Sequence, residues 1–323
     1  MSSAPLQAGE RVLLIDNKDR RYLLRLAEGG SFQTHAGILD HDSVIGQEAG
    51  SEIAARAREG STTEPRRFLV LRPTLSDVIL KMPRGAQVIY PKDLGAILIA
   101  ADLYPGARVF ETGVGSGALS IAALRMGCDV LGYELRGDFA ARARSNVEAL
   151  LGPEASYRVE ERDSYEGIDE TGIDRVLLDL PEPWRVVSHA AEALIPGGVL
   201  CAYLPSINQT AQLRAELGRV GFVLAETLEV LHRTWHIEGR SVRPDHRMVA
   251  HTGFITTARL GAPATRRAVG ERRARRASAD GPAPLVGPGF DLEGEAASEW
   301  TSDLGDLVGD LLEVSDEGEL TRE

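Results

Sequence analysis

The chain has 323 residues, of which 43% are hydrophobic and 26% charged, and its formal net charge is −12. That length suits about two domains, and the composition is typical of a globular protein rather than a disordered one. The N-terminus has no basic start followed by an apolar segment, so we expect no signal peptide. No apolar run approaches the roughly 18 residues that span a bilayer, so we expect a cytoplasmic protein without a membrane partner.

The first 72 residues predict a small N-terminal β-domain. Short apolar runs alternate with turn residues such as Asp16–Asp19 and Glu28–Gly30, a pattern typical of an antiparallel sheet or barrel. The predicted strands are Arg11–Asp16, Arg21–Leu26, Ser31–His35 and Arg67–Leu71. A joining segment from Arg72 to about Pro105 follows.

Residues 73–260 make up the second predicted domain, and from Ala107 onward strands and helices alternate. Alternation of this kind predicts an α/β fold, with a mainly parallel sheet that carries helices on both faces. The predicted strands are Arg108–Glu111, Val130–Glu134, Tyr157–Glu160, Arg175–Leu180, Gly198–Leu204, Phe222–Val230 and Gly253–Ala258. The predicted helices are Ala118–Met126, Phe139–Leu150, Trp184–Leu194 and Gln209–Val220.

The last part of the chain, residues 261–323, changes character. Six arginines between Arg266 and Arg276 precede thirteen acidic residues that begin at Asp280. This composition predicts a flexible tail, basic and then acidic. Apolar residues from Trp300 to Leu312 recur at helical spacing, which indicates one short acidic amphipathic helix.

A glycine-rich turn follows the first strand of the second domain, in the run Val109–Ala118. Its glycines, Gly113, Gly115 and Gly117, let a ligand lie against bare backbone. The spacing departs from the G-x-G-x-x-G of dinucleotide sites, and no Lys or Arg stands in the turn to meet phosphates. A structural turn without a ligand is the alternative.

An acidic residue, Glu134, ends the next predicted strand, where a carboxylate accepts hydrogen bonds from both hydroxyls of a ribose. A ribose acceptor without a phosphate cradle indicates S-adenosylmethionine, a nucleoside with an amino-acid tail. Glu111, Asp163 and Asp179 also fall near predicted strand ends, which meet at the ligand-binding edge of such a sheet.

A second motif, Asp179–Trp184, combines a carboxylate, two prolines and an aromatic ring. It resembles the N-P-P-Y type motif of amino-group methyltransferases, in which a flipped base is hydrogen-bonded and stacked. Because its first residue is a carboxylate, Asp179 suits methylation of a ring nitrogen, where positive charge develops. The alternative is that Asp179 only caps the following helix.

A third motif, Lys81–Asp93, joins the two domains and is rich in groups that bind nucleic acid. Lys81, Arg84 and Lys92 suit phosphates, Tyr90 suits stacking, and Gln87 suits a base edge or the cofactor. A structured linker whose Tyr90 belongs to the core is the alternative.

The remaining polar residues predict no metal site. His232, His236, His246 and His251 lack metal-ligand spacing, and we interpret them as packing or phosphate contacts, with a general base as the alternative. Cys128 and Cys201 read as small buried residues of a reducing compartment.

Together, Glu111–Gly117, Met82–Asp93, Asp179–Trp184 and Arg243–Phe254 resemble the TrmI family of tRNA (adenine-N1)-methyltransferases, which modify the T-loop adenosine at position 58. The resemblance covers about residues 8–260 and is closest to actinobacterial and archaeal members. It implies a Rossmann-like class I methyltransferase domain behind the small β-domain, a homotetramer and tRNA as the partner. The tail lies outside it.

The resemblance also implies roles for individual residues. Asp179 is expected to hold the adenine amino group as the catalytic residue, with Tyr90 beside the base. The residues expected to bind the cofactor are Gln87, Gly113, Val114, Gly115, Ser116, Gly117, Ala118, Glu134, Asp163 and Asp179. Those expected to bind the substrate are Lys81, Arg84, Tyr90, Arg243 and Arg247. A methyltransferase that acts on a protein or small molecule is the alternative function.

Overall fold

A computed structural model describes residues 4–34, 37–57, 66–85 and 87–268. These residues belong to one compact unit. The predicted helix of the acidic tail lies outside the described residues. None of the described helices is long and apolar enough to cross a membrane.

The N-terminal part contains a four-stranded antiparallel sheet in the order β2-β1-β6-β5, with β3 and β4 paired beside it. Alternate residues of β1 and β6, among them Val12, Leu14, Phe68 and Val70, point into one apolar cluster. The four predicted strands are present, and two short ones were missed. The bounds are β1 Arg11–Asp16, β2 Arg21–Arg25, β3 Ser31–Thr34, β4 Gly37–Asp40, β5 Glu52–Ala54 and β6 Arg67–Leu71.

The predicted joining segment is not a plain linker, because it contains two helices, α1 Leu75–Lys81 and α2 Pro91–Ala100. Thr74 and Asp77 form a capping box at the start of α1, in which each side chain bonds the other residue's main-chain N–H. Helix α2 begins at a proline, the residue favoured at the first helical position. Both helices pack into the main core.

A seven-stranded sheet in the order β12-β15-β11-β10-β7-β8-β9 forms the centre of the larger part. Strands β7 to β11 are parallel, and β15 and β12 are antiparallel additions at one side. The bounds are β7 Arg108–Thr112, β8 Asp129–Glu134, β9 Tyr157–Glu161, β10 Ile173–Leu178, β11 Leu194–Leu204, β12 Phe222–Glu229 and β15 Phe254–Leu260. All seven predicted strands are present, with ends shifted by up to four residues.

Helices cover both faces of this sheet, as predicted for an α/β fold. One apolar cluster joins α1 to α4 with the sheet, and a second joins α5 and α6 with the opposite face. The predicted helix Trp184–Leu194 is divided into a 3₁₀ turn at Pro183–Arg185 and an α-helix. The bounds are α3 Ala118–Arg125, α4 Gly137–Leu151, α5 Val187–Ala193 and α6 Ile207–Val220.

An arm between β12 and β15 was not predicted. It carries a two-stranded hairpin made of β13 Trp235–Glu238 and β14 Ser241–Pro244. Cys128 and Cys201 are both buried and unpaired, as expected of small core residues.

The order of the sheet fixes where a ligand binds. From β7 the chain moves outward through β8 and β9, then returns to the other side of β7 with β10 and β11. The carboxyl ends of β7 and β10 therefore border the switch point of the sheet, which is where open α/β sheets hold their ligands.

Candidate functional site

A cleft of about 630 Å³ opens at the carboxyl ends of the parallel strands, within the usual size range of small-molecule sites. Six of the expected cofactor-binding residues lie on its walls: Gln87, Gly113, Gly115, Glu134, Asp163 and Asp179. Three more, Val114, Ser116 and Ala118, line a small recess beside it, which Gln87, Gly113, Gly115 and Asp179 also border. Gly117 lines neither and is the N-terminal cap of α3.

The glycine turn requires glycine for two separate reasons. Gly113, Gly115 and Gly117 have φ angles of +80°, +57° and +81°, a region that residues with side chains rarely adopt. In addition, a β-carbon at Gly113 would overlap the main-chain carbonyl of Asp179. The turn therefore brings bare backbone against the end of β10.

Glu134, the last residue of β8, is held in place by main-chain donors. Its carboxylate accepts hydrogen bonds from the N–H of Gly115 at 2.9 Å and the N–H of Arg136 at 3.0 Å. The turn and the strand-end carboxylate thus form one unit, with Glu134 on the wall of the cleft.

Asn146 holds the glycine turn in place through a hydrogen bond to Ser116. The amide nitrogen of Asn146 donates to the carbonyls of Ser116 and Pro83, each at 3.0 Å, and so ties the turn to the segment before Gln87. The Ser116 hydroxyl is buried and has no hydrogen-bond partner among the described residues. A buried polar group without a partner costs free energy, so this hydroxyl suits a polar ligand atom in the recess.

Beyond β9, Asp163 and Ser164 continue the wall of the cleft. Asp163 accepts a hydrogen bond of 2.8 Å from the N–H of Tyr165. The Thr112 hydroxyl donates to that of Ser164 at 2.8 Å, which links this loop to the end of β7.

Asp179 directly follows β10 and faces the cleft. Burial, and secondarily the charge of Glu134, raises the pKa of its carboxyl to about 7. The helix-cap alternative is wrong, because the next helical turn, Pro183–Arg185, is preceded by Glu182 and has no side-chain cap. A carboxyl with a raised pKa in a cleft is typical of a functional group.

Glu111 lies deeper, inside β7. Its carboxylate accepts a 2.6 Å hydrogen bond from the Ser120 hydroxyl, and burial raises its pKa to about 8. It borders the recess rather than the open cleft.

The expected substrate-binding residues are not on the walls of the cleft. Lys81, Arg84, Arg243 and Arg247 are exposed and form no ion pair with another described residue, so they stay predictions as phosphate contacts. Tyr90 is half-buried and precedes α2, where its carbonyl accepts from the N–H groups of Asp93 and Leu94. Its role beside the base also stays a prediction.

The expectation that Lys92 contacts phosphate is wrong. Its ammonium is buried and pairs with Asp93 at 2.8 Å. It also donates to the carbonyl of Val230 and the hydroxyl of Thr252, each at 2.6 Å. All three ammonium hydrogens therefore have partners inside the protein.

Several cleft residues were not found from the sequence: Leu135, Arg136, Phe139, Tyr165, Tyr203, Pro205 and Gln209. Leu135 and Arg136 follow the Glu134 strand end directly, so the strand-end rule could have found them. Tyr203 and Pro205 flank the end of β11, one strand beyond the motif at Asp179. The described residues contain no group of three or more His, Cys, Asp or Glu side chains that could hold a metal ion.

Comparison with known families matches residues 68–252 to the model described as tRNA methyltransferase complex GCD14 subunit. Residues 5–53 match the model described as TrmI-like N-terminal. A tRNA (adenine(58)-N(1))-methyltransferase TrmI from Thermus thermophilus is 37% identical over 77% of this chain and 96% of its own length.

This chain belongs to the TrmI family. An archaeal TrmI from Methanocaldococcus jannaschii, named as a tRNA (adenine(57)-N(1)/adenine(58)-N(1))-methyltransferase, is 33% identical over 77% of this chain and 94% of its own. The predicted family resemblance is confirmed.

Solved structures agree on the fold. A Thermotoga maritima protein titled SAM-dependent O-methyltransferase superposes with a TM-score of 0.74 at 32% identity, covering 80% of this chain and 96% of its own. The tRNA (m1A58) methyltransferase TrmI of Aquifex aeolicus superposes with a TM-score of 0.68 at 29% identity, covering 79% of this chain and 98% of its own. The TrmI-family chain thus has the class I methyltransferase fold with additional N-terminal strands, as predicted.

Proposed function

We propose that this chain transfers a methyl group from S-adenosylmethionine to N1 of adenosine 58 in the T-loop of tRNA, giving 1-methyladenosine. The observation that carries the proposal is Asp179, a carboxyl with a raised pKa beside the glycine turn at the switch point of the sheet. The names of the TrmI relatives from Thermus thermophilus and Methanocaldococcus jannaschii support the same substrate.

The cleft fits the proposed cofactor in three respects. Glu134 is a fixed carboxylate of the kind that accepts ribose hydroxyls. The glycine turn offers bare backbone without a Lys or Arg for phosphates. The unpartnered Ser116 hydroxyl offers a polar contact in the recess. When bound, S-adenosylmethionine supplies an electrophilic methyl group on a positively charged sulfur.

We assign residues to the cofactor accordingly. The residues that would hold it are Gln87, Gly113, Val114, Gly115, Ser116, Ala118, Glu134, Asp163 and Asp179, with Gly117 shaping the turn.

The chemistry requires little of the protein beyond positioning and charge. Adenine N1 carries a free lone pair, so it needs no base before it attacks the methyl carbon. As the new N–C bond forms, the bond between the methyl carbon and sulfur breaks, its electron pair stays on the sulfur, and the positive charge passes to the adenine ring and its amino group. Asp179 accepts a hydrogen bond from that amino group and stabilises the charge, an electrostatic contribution of the kind worth roughly 10²–10³ in rate.

The tRNA must expose its buried T-loop base, which costs roughly a few kcal/mol of unstacking. We propose that Lys81, Arg84, Arg243 and Arg247 hold the phosphate backbone while Tyr90 contacts the base. Binding through exposed cations releases counterions, so tRNA affinity falls steeply as salt rises.

We also propose that the chain acts as a homotetramer. One face of the hairpin presents Trp235, Ile237 and Val242, which are 58%, 73% and 62% exposed. Ile237 lies opposite Val242, whereas His236 and Arg243 share the other face. An isolated two-stranded ribbon is marginal in water, and an apolar face this open suits contact with a second copy.

The test of the function uses the full chain, an unmodified tRNA transcript and methyl-labelled S-adenosylmethionine. We expect 1-methyladenosine by mass spectrometry of the digested product and a primer-extension stop at position 58. A transcript with guanosine at position 58 is the matched control and should stay unlabelled. Labelling of another nucleoside, or no labelling of tRNA, contradicts the proposal and favours the protein or small-molecule alternative, which the named relatives do not favour.

The assembly is tested by light scattering after size exclusion. The unaltered chain should elute as four copies of 34.8 kDa. Ile237→Lys with Val242→Lys should reduce that mass, and a monomer from the unaltered chain contradicts the tetramer.

A further inference from the structure

A buried ion pair at the start of α2 lies behind the cleft. Lys92 and Asp93 have side chains that are 5% and 0% exposed, with 2.8 Å between Nζ and Oδ1. Buried pairs of this kind rarely stabilise a fold more than apolar residues of similar volume would, because both charges lose their water. The pair therefore suits a role other than stability.

The pair leads to the cleft through Asp93. Its Oδ2 accepts a 2.6 Å hydrogen bond from the Thr252 hydroxyl and a 3.3 Å hydrogen bond from the phenol of Tyr203. The Thr252 hydroxyl in turn accepts from Lys92. Asp93 thus provides an acceptor for the phenol proton of Tyr203.

Tyr203 and Asp179 occupy neighbouring strand ends. Leu178 of β10 is paired with Ala202 of β11, and Asp179 and Tyr203 are the next residues. Both line the cleft. Gly253 packs against the phenol ring so closely that a β-carbon there would overlap it, so the ring is held from behind.

Tyr203 does not act as a base at neutral pH. Burial, together with the charges of Asp93 and Asp179, raises the pKa of its phenol to about 12. With its single proton donated to Asp93, the phenol oxygen offers only lone pairs to a ligand.

We infer that Tyr203 accepts a hydrogen bond from the exocyclic amine of the target adenine, and that Asp93, paired with Lys92, is the positioning residue that orients it. The inference rests on the proposed function. An adenine amino group has two hydrogens, and Asp179 and Tyr203 are two acceptors at adjacent strand ends. A site whose groups accept hydrogen bonds from an amine disfavours a base without an amine, because the acceptors of the site then stay unpaired.

The test compares single-turnover rates on tRNA carrying adenosine or purine riboside, which lacks the amine, at position 58. Tyr203→Phe should slow methylation of adenosine about 10-fold. It should change the slow reaction of the purine less than 2-fold and leave the dissociation constant of S-adenosylmethionine unchanged. Tyr104→Phe, at the opposite end of the sheet, is the matched control and should have no effect on either rate.

The role of Asp93 is tested by removing the whole pair as Lys92→Met with Asp93→Leu, which leaves no unpaired buried charge. This change should slow adenosine methylation in the unaltered chain and have no further effect in the Tyr203→Phe chain. Should the pair variant melt below the assay temperature, Thr252→Val removes one of the two donors to Oδ2 of Asp93 instead and should show the same dependence on Tyr203.

Three outcomes overturn the inference: a Tyr203→Phe chain with the unaltered rate, equal slowing on adenosine and purine, or independent effects of Tyr203 and the pair. In each, formation of 1-methyladenosine by the unaltered chain leaves the proposed function standing. No 1-methyladenosine from the unaltered chain overturns both.

Discussion

The main chain at Gly113 lies so close to the carbonyl of Asp179 that a β-carbon at position 113 would overlap that oxygen. The glycine that begins the cofactor turn therefore also sets the distance between β7 and the strand end that carries the proposed catalytic carboxyl. One substitution there should disturb both the cofactor site and Asp179.

Gly113→Ala should lower stability by roughly 3 kcal/mol and weaken S-adenosylmethionine binding at least tenfold, since it combines a strained φ with a main-chain clash. Gly106→Ala is the matched control: Gly106 has a φ of +82° and open space around its α-carbon, so it should cost about 1 kcal/mol and spare binding. Denaturant unfolding and calorimetry measure the two effects. Equal losses in the two variants would mean that the Asp179 contact is unimportant.

Asn146 should affect the binding of the cofactor although it does not line the cleft. Asn146→Leu leaves the carbonyls of Ser116 and Pro83 without their donor, at a cost of about 1–3 kcal/mol for the buried Ser116 carbonyl. We expect S-adenosylmethionine binding, measured by calorimetry, to weaken at least tenfold as the turn loosens. Asn208→Leu, on the exposed side of α6, should bind normally. Normal binding by Asn146→Leu would show that the turn holds its shape alone.

Local sequence patterns predicted the central sheet because each strand carries its own signal. The β–α alternation and the strand-end positions of Glu134, Asp163 and Asp179 needed no long-range information. Helix α1 was missed although Thr74 and Asp77 have capping-box spacing, because the whole stretch from Arg72 to about Pro105 was interpreted as a joining segment.

Long-range partners were beyond sequence reasoning. Lys92 was wrongly assigned to phosphate, since two of the acceptors that hold its ammonium, Val230 and Thr252, are 138 and 160 positions away in the sequence. Tyr203 was missed for the same reason, since only the pairing of β10 with β11 places it beside Asp179.

The ionisation of Asp179 should make the stability of the protein depend on pH. Its folded-state pKa, about 7, is above the ordinary value of 3.8, so the stability it contributes is full below pH 3.8 and is lost as pH rises through 7. Asp179→Asn removes the buried charge and its repulsion by Glu134. We expect it to raise Tm by roughly 2–4 °C at pH 8, because Asp179 is partly open to solvent in the cleft and water screens part of the cost.

The Tm advantage of Asp179→Asn should shrink as pH falls from 8 to 5. Methyl transfer by the variant should be roughly 10²-fold slower at pH 8, and the difference should narrow toward pH 5, where Asp179 of the unaltered chain is protonated as well. Thermal melts across pH 5–8 and single-turnover assays measure both. A Tm difference that is independent of pH would contradict the raised pKa, and unaltered methyl transfer would contradict the catalytic role.

The stability that His251 contributes should depend on pH in the opposite sense to that of a buried neutral histidine. Its two ring nitrogens lie 2.6 Å from a Glu229 carboxylate oxygen and 2.8 Å from the Pro205 carbonyl. Both partners are acceptors, so both nitrogens must donate, and the ring is charged. The hydrogen bond to Pro205, and then that to Glu229, raises the pKa above its ordinary 6.5, while the charge of Lys92 opposes the rise.

Because the folded-state pKa is raised, the stabilisation by His251 is full below pH 6.5 and is lost as pH rises through the raised value. His251→Gln should therefore lower Tm most near pH 6, with a difference that shrinks as pH increases. His246→Gln, at an exposed position of the arm, should show no such trend. Since Pro205 lines the cleft, the same pH rise should loosen that wall, seen as faster amide exchange after β11. A His251→Gln effect that is constant from pH 6 to 9 would contradict the charged ring.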